Sequence, residues 1–244
     1  MNKVSIKSSL ILILTYVVLA NMGTVLSKKI DINYLGEILL LLTFTVFLIR
    51  YIKRYSLTRV VGLIKINFHD AKKSLLYLPL FVIVLANGVF FFDRTISFNN
   101  IILAISFMML VAFLEDLLFR GLLFKSLEKD KTTKTAILIS GATFGFGHII
   151  NLLNGYTSID QIIQIVIATL IGILLSVLFV NTQSIIPGII FHFCFNSASV
   201  LSINIEPLYN YICIGIILIT ALIYLLYLLK SVQRNKDILV ENRL

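Results

Sequence analysis

The chain has 244 residues, of which 59% are hydrophobic and only 14% are charged. A soluble domain is nearer half apolar and about a quarter charged, so this composition excludes an ordinary water-soluble domain and indicates a polytopic membrane protein. The net charge of +9 does not indicate nucleic-acid binding, because Lys and Arg lie in short segments between apolar stretches. There they set topology and meet the anionic headgroups of membrane lipids.

Eight apolar stretches are long enough to cross a bilayer as helices, which takes roughly 20 residues. The first is too long for the apolar part of a cleavable signal, and we expect it to be retained. We therefore predict an all-α transmembrane bundle of about eight spans that forms one integral-membrane domain, residues 1–244. The spans are predicted near Ser8–Ser27, Tyr34–Ile52, Leu75–Phe92, Asn99–Leu127, Thr135–Leu153, Ile162–Val180, Ile185–Ile203 and Tyr209–Leu229.

The basic residues predict the orientation of these spans. Of the 21 Lys and Arg residues, 17 lie in segments that are cytoplasmic if the N-terminus is inside, and Lys28, Lys29 and Arg94 lie outside. Cytoplasmic loops carry an excess of Lys and Arg, so both termini are predicted to be cytoplasmic. The remaining basic residue, Arg120, lies inside the fourth span. The longest connection, Lys53–Lys73, is partly amphipathic and is predicted to lie at the membrane interface.

The fourth stretch carries three charged residues, Glu115, Asp116 and Arg120. A charged side chain near the bilayer centre costs roughly 2.5–3.5 kcal/mol on insertion scales, so these residues indicate a functional site. Asp116 and Arg120 are four residues apart and share one face of a helix, where they can form an ion pair. Glu115 points about 100° away from Asp116 in an α-helix, and it can face a cavity while Arg120 holds Asp116.

The fifth and seventh stretches each carry a histidine. His148 follows Gly145 and Gly147, and these glycines predict a slim helix that another helix can approach closely. His192 and Asn196 are four residues apart in the seventh stretch, so they share a face of their helix. At a rise of 1.5 Å per residue, the four polar groups lie about 14–21 Å from their predicted cytoplasmic ends. We expect Glu115, His148, His192 and Asn196 to converge near the middle of the membrane.

These residue types permit hydrolysis. A carboxylate in an apolar site can act as a general base near neutral pH. A neutral histidine can accept a proton from water or hold a metal, and an asparagine with a second histidine can donate hydrogen bonds to a developing oxyanion. No serine or cysteine has an identifiable activating base, so water is the predicted nucleophile. The residues do not define which bond is cut.

Three motifs carry a family resemblance. Glu-Asp-x-x-x-Arg at Glu115–Arg120, Phe-x-x-x-His at Phe144–His148 and His-x-x-x-Asn at His192–Asn196 occur in this order on separate predicted helices. Together they resemble the motifs of the CPBP family, the CAAX-protease and bacteriocin-processing intramembrane proteases, also called the Abi family. The resemblance covers about Val111–Ser199 and places a protease core at residues 99–203.

The resemblance implies peptide-bond hydrolysis with Glu115 as the catalytic carboxylate. It also implies that His148 helps to activate water and that His192 and Asn196 complete the site and stabilise the oxyanion. The cofactor stays open, because metal-free and metal-dependent mechanisms are both proposed for the family. In the second case Glu115, His148 and His192 would hold a divalent metal such as zinc. The family usually has Glu-Glu, whereas this chain has Asp116 at the second, supporting position beside Arg120.

The predicted substrate is a membrane-associated peptide or protein, for example a lipidated C-terminus, a leader peptide or a bacteriocin-like peptide. The abundance of Ile, Lys and Asn is typical of an AT-rich bacterium, so we expect the protein to lie in a bacterial plasma membrane. Prenylated substrates are then less expected than other membrane-associated peptides. Two other interpretations remain. One is a non-enzymatic immunity or scaffold protein that keeps the fold. The other is a proton-coupled transporter, although the inverted repeats of many transporters are not evident. The oligomeric state cannot be predicted.

Overall fold

A computed structural model describes residues 4–65, 77–88, 91–149, 158–203 and 206–241 of the chain. In these ranges the protein forms eight helices and no β-strand, apart from one isolated antiparallel bridge between Phe92 and Ser202. The predicted all-α class is therefore confirmed. The helices are α1 Ile6–Ile30, α2 Leu35–Arg54, α3 Leu78–Ala86, α4 Phe98–Asp130, α5 Thr133–Gly147, α6 Ser158–Thr182, α7 Ile186–Val200 and α8 Pro207–Glu241.

Each predicted span has a helix at its position, but the helices differ in length. Five of them, α1, α2, α4, α6 and α8, are long and apolar enough to cross a membrane. The chain is therefore an integral, multi-pass membrane protein. The other three are shorter, with nine residues in α3 and 15 residues in each of α5 and α7. The orientation of the termini stays a prediction.

Two of the short helices end earlier than the sequence predicts. Helix α3 stops at Ala86 because Gly88 adopts a backbone φ of +119°, which ends a helix. Helix α5 stops at Gly147, after two glycines that lower helix propensity. The remaining parts of the predicted spans Leu75–Phe92 and Thr135–Leu153 lie partly outside the described residues, as does part of the Lys53–Lys73 connection.

Helix α4 is the centre of the bundle, and it is not a regular α-helix throughout. It runs as an α-helix to Glu115 and then as a π-helix over Asp116–Phe124. All nine residues of this π-helical segment are buried. A helix that is buried on every side is expected only where other helices surround it. Glu115 lies at the junction, close to the middle of the 33-residue helix, so the fold places it deep in the bundle.

The first two helices form a tight hairpin. A side chain at Gly23 or Gly36 would collide with the other helix, so both positions need glycine for this close approach. The buried Glu37 carboxylate accepts a short hydrogen bond from the Ser27 hydroxyl, which in turn accepts one from the Gly36 N–H at 2.7 Å. These bonds satisfy a buried carboxylate inside the hairpin, and they fix α1 relative to α2.

Helices α5 and α6 also pack closely through glycines. Any side chain at Gly145 would collide with Thr169, and one at Gly172 would collide with the backbone of Gly141. The prediction that Gly145 permits close helix packing is confirmed. The same prediction is wrong for Gly147, whose Cα faces open space with no atom near a hypothetical Cβ. Gly147 instead lines a cavity beside His148.

Candidate functional site

The Asp116 and Arg120 side chains form a buried ion pair, as their spacing predicts. Each residue is only 1% exposed, and Arg120 Nη1 lies 3.6 Å from Asp116 Oδ1. The guanidinium also stacks over the Phe144 ring, with its carbon 4.3 Å from the ring centroid. Its second terminal nitrogen lies 3.5 Å from the Gly172 carbonyl oxygen. Arg120 therefore compensates the Asp116 charge and connects α4 to α5 and α6.

His192 lies between the two carboxylates, which the sequence did not predict. Its Nδ1 is 3.1 Å from Asp116 Oδ2, and its Nε2 is 3.3 Å from Glu115 Oε2. The ring is 4% exposed. Each ring nitrogen faces one carboxylate, so a proton on Nδ1 would be shared with Asp116 and a proton on Nε2 with Glu115. We call Glu115, Asp116, Arg120 and His192 the carboxylate–histidine cluster.

The charges of the carboxylate–histidine cluster can balance inside the protein. The Arg120 guanidinium lies beside the Asp116 carboxylate, and the His192 imidazole can share a proton with either carboxylate. Charges that are paired in this way are far less expensive to bury than any of them alone. This accounts for four ionisable groups in an apolar bundle.

Tyr16 is a member of the site that the sequence analysis missed. Its hydroxyl donates a buried hydrogen bond of 2.7 Å to Glu115 Oε1, from a helix 99 positions away in the chain. The sequence signal that could have indicated Tyr16 is its position well inside the first apolar stretch. A phenol buried there needs a hydrogen-bond partner. The sequence does not indicate which partner it meets. Glu115 is thus contacted through one oxygen by α1 and through the other by α7.

His148 and Asn196 face the space beside Glu115. All three residues line a cavity of about 470 Å³, which Tyr16 also lines. His148 is half-buried, its ring meets the Phe144 ring edge-on at 5.4 Å, and its backbone carbonyl accepts a 2.8 Å bond from the Gln161 side chain. The structure therefore brings the predicted residues of three helices to one place, while their catalytic roles stay predictions.

A second cavity begins where the first one ends. It has a volume of about 360 Å³ and is lined by both His148 and His192. The two cavities share the lining residues Phe144, His148, Gln164, Asn196 and Ser199. The rest of the second cavity is formed by residues of α6, α7 and α8, together with Asn87 after α3. The predicted site residues therefore lie between two spaces rather than at the end of one.

The predicted metal ligands do not form a preassembled set. Within the part of the chain that the structure describes, no group of three His, Cys, Asp or Glu side chains is arranged to hold a metal ion. Both ring nitrogens of His192 already face carboxylates. A divalent metal held by Glu115, His148 and His192 stays a prediction, and the water activation proposed for Glu115 does not use one.

Comparison with known proteins identifies the segment that carries these residues. The family model "Type II CAAX prenyl endopeptidase Rce1-like" matches residues 97–198. No curated protein matches the chain. The matched segment contains all three motifs, from Glu115 on α4 to Asn196 on α7. The predicted resemblance to the CAAX-protease (CPBP) family is thus confirmed over residues 97–198.

Proposed function

We propose that this protein is an intramembrane endopeptidase that cuts a peptide bond of a membrane-associated peptide or protein with water as the nucleophile. The observation that carries the proposal is the position of the Glu115 carboxylate. Glu115 lines the cavity of about 470 Å³ together with His148 and Asn196, and a polar cavity of this size can hold water. The Glu115 Oε2 atom is buried and lies 3.3 Å from His192 Nε2.

The proposed reaction begins with this water. Glu115 accepts one of its protons while the water oxygen attacks the carbonyl carbon of the substrate, and the C=O bond becomes an oxyanion. The proton then passes from Glu115 to the leaving nitrogen as the C–N bond breaks. Asp116 orients His192 through Nδ1, and His192 keeps Glu115 in place through Nε2. The products are a new carboxyl group and a new amine.

His148 and Asn196 are the proposed partners of the oxyanion. Both line the cavity that Glu115 faces, and both can donate a hydrogen bond to an oxygen that becomes negative in the transition state. A single donor of this kind typically contributes about 10²–10³-fold to the rate. Both ring nitrogens of His192 face carboxylates, so we propose that His192 positions the base, Glu115, and does not contact the oxyanion.

The two cavities support an endopeptidase rather than an enzyme that removes a single terminal residue. The site lies where they meet, so a peptide bound there extends into a space on either side of the cut bond. The second cavity combines apolar walls, such as Ile167 and Ile214, with amides such as Asn87 and Asn210. Such a surface can bind apolar side chains and backbone groups of a peptide together. Peptide maturation or bacteriocin self-immunity in a bacterial plasma membrane is the role that we propose.

The test compares the peptides of membranes that contain wild-type or Glu115→Gln protein at matched levels. Glu37→Gln is the matched control, because Glu37 is also a buried glutamate in an apolar helix but lies in the α1–α2 hairpin. The amide oxygen of the glutamine can still accept the Ser27 hydrogen bond that closes this hairpin. We expect a fragment that depends on Glu115 and is present in the control. His148→Ala is expected to reduce the same fragment.

A non-enzymatic immunity or scaffold protein predicts the opposite outcome. If Glu115→Gln, His148→Ala and His192→Ala proteins keep the wild-type peptide pattern and any immunity that the protein confers, hydrolysis is rejected. The fold would then serve to bind a peptide in the same cavities. Equal membrane levels of the variants are required, because a loss of protein would imitate a loss of activity.

A further inference from the structure

The Tyr16 hydroxyl contacts the proposed base from outside the segment that matches the family model. Tyr16 lies on α1, whereas the match covers residues 97–198. We propose that Tyr16 is a positioning residue, which holds Glu115 through Oε1 and so fixes the carboxylate that activates the water. This inference rests on the proposed function of Glu115. It adds α1 to the helices that the reaction needs.

The geometry explains why one hydrogen bond is sufficient. The last torsion of a glutamate side chain is broad, so a carboxylate without partners can rotate. The 2.7 Å bond from Tyr16 fixes Oε1. The plane of the carboxylate then has one orientation, with Oε2 3.3 Å from His192 Nε2, at a residue that lines the first cavity. Without the phenol, Oε1 and Oε2 could exchange or tilt away from the water.

The position of Tyr16 is itself well determined. Its side chain is 7% exposed and belongs to the hydrophobic core of the bundle, while its hydroxyl reaches the cavity that Glu115 lines. The α1–α2 hairpin, closed by the Ser27–Glu37 hydrogen bond, holds the helix that carries it. A rigid helix is a precise support for a positioning group.

Removal of this hydrogen bond should change the surroundings of the Glu115 carboxylate and leave the other charged and titratable groups of the site in place. They are Asp116 and Arg120 on α4, His148 on α5 and His192 on α7.

The first measurement needs no substrate. Infrared difference spectra of the purified full-length protein, recorded across pH with Glu115→Gln as reference, assign the carboxyl or carboxylate bands of Glu115. Tyr16→Phe keeps the ring and removes only the hydroxyl. The matched control is Tyr224→Phe, because Tyr224 is 2% exposed and its hydroxyl has no hydrogen-bond partner within the described residues. We expect the Glu115 bands to shift in Tyr16→Phe and to stay unchanged in Tyr224→Phe.

The second measurement uses the peptide whose cleavage depends on Glu115. A hydrogen bond to a charged group corresponds to roughly 10- to 100-fold in rate. We expect kcat of Tyr16→Phe to fall by that factor at a nearly unchanged KM. A purely structural role of Tyr16, as a contact between α1 and α4, would reduce the amount of folded protein without changing kcat of the folded remainder.

The outcomes separate this inference from the proposed function. Identical Glu115 bands in wild-type and Tyr16→Phe protein overturn the positioning role, whatever the activity is. A Glu115→Gln protein that still produces the peptide overturns the proposed function, and the spectra then still report whether Tyr16 holds the carboxylate. Shifted bands together with an unaltered kcat reject the link between the hydrogen bond and the reaction.

Discussion

Asp116→Asn tests whether the carboxylate–histidine cluster works as a charge-balanced unit. The substitution keeps the size of the side chain but removes the charge that Arg120 and His192 share. Removing one partner of a buried ion pair typically costs about 3–5 kcal/mol. Arg120 retains the Phe144 ring at 4.3 Å and the Gly172 carbonyl at 3.5 Å, so we expect a loss near the lower end, about 3 kcal/mol.

The effect on activity should exceed the effect on stability. The side-chain amide that Asp116→Asn introduces can donate to Nδ1 of His192, which moves the ring proton to Nε2 and changes what Glu115 meets there. A reversed tautomer of this kind reduces kcat by as much as about 10⁴-fold in serine proteases, and we expect a loss of roughly 100-fold or more. Asp116→Glu is the comparison variant. It keeps the charge but extends the side chain by one methylene, so stability should recover more than activity does.

Two assays on the same purified variants measure these effects. Thermal unfolding in detergent reports stability, and cleavage of the Glu115-dependent peptide reports activity. An Asp116→Asn protein with wild-type unfolding temperature and wild-type kcat would refute the reasoning, because neither Arg120 nor His192 would then depend on the carboxylate. A protein that unfolds early but cleaves normally would reject only the proposed control of the His192 tautomer.

The remaining predictions concern the surroundings of the site. Gly188→Ala should reduce kcat by roughly 10- to 100-fold, because the new Cβ would lie 2.9 Å from Asp116 Oδ1 and displace that carboxylate; the kcat of the purified variant checks this. Ile214→Trp should fill the second cavity and raise KM for long peptides, whereas Ile216→Trp, at a 42% exposed position on the same helix, should leave KM unchanged. Cleavage should persist in the presence of a zinc chelator, since the proposed mechanism relies on a carboxylate base alone; inhibition that added zinc reverses would contradict it.

The positions of the helices could be predicted from sequence because burial in lipid requires long apolar runs, and every such run became a helix. The ends of the helices could not. Helix α3 stops at Ala86, and the side chain of the following Asn87 donates a 2.8 Å hydrogen bond to the Phe195 carbonyl. That bond depends on α7, which is more than 100 residues away. The π-helical segment Asp116–Phe124 was likewise unpredictable, because a π-helix differs from an α-helix in backbone hydrogen bonds and not in composition.

The ionisable members of the site could be predicted from the sequence, because such residues are rare in apolar stretches. Their contacts with residues on other helices could not be predicted. The i, i+4 spacing predicted the Asp116–Arg120 pair, since both residues lie on one helix. The position of His192 between Glu115 and Asp116 depends on how α7 packs against α4, and nothing in the local pattern of α7 contains that information. Tyr16 was missed for the same reason, since a tyrosine in an apolar span is unremarkable until its partner is known.

The structure also bears on the one departure from the usual family motif, the aspartate at position 116. Gly188 on α7 packs against this carboxylate so closely that even a methyl group there would approach Oδ1. The shorter side chain still reaches both His192 and Arg120. A glutamate would have to place its extra methylene in the space between α4 and Gly188, or move its carboxylate away from the histidine. Asp116 and Gly188 are therefore matched in size, and the aspartate is compatible with a complete site rather than a sign of a degenerate one.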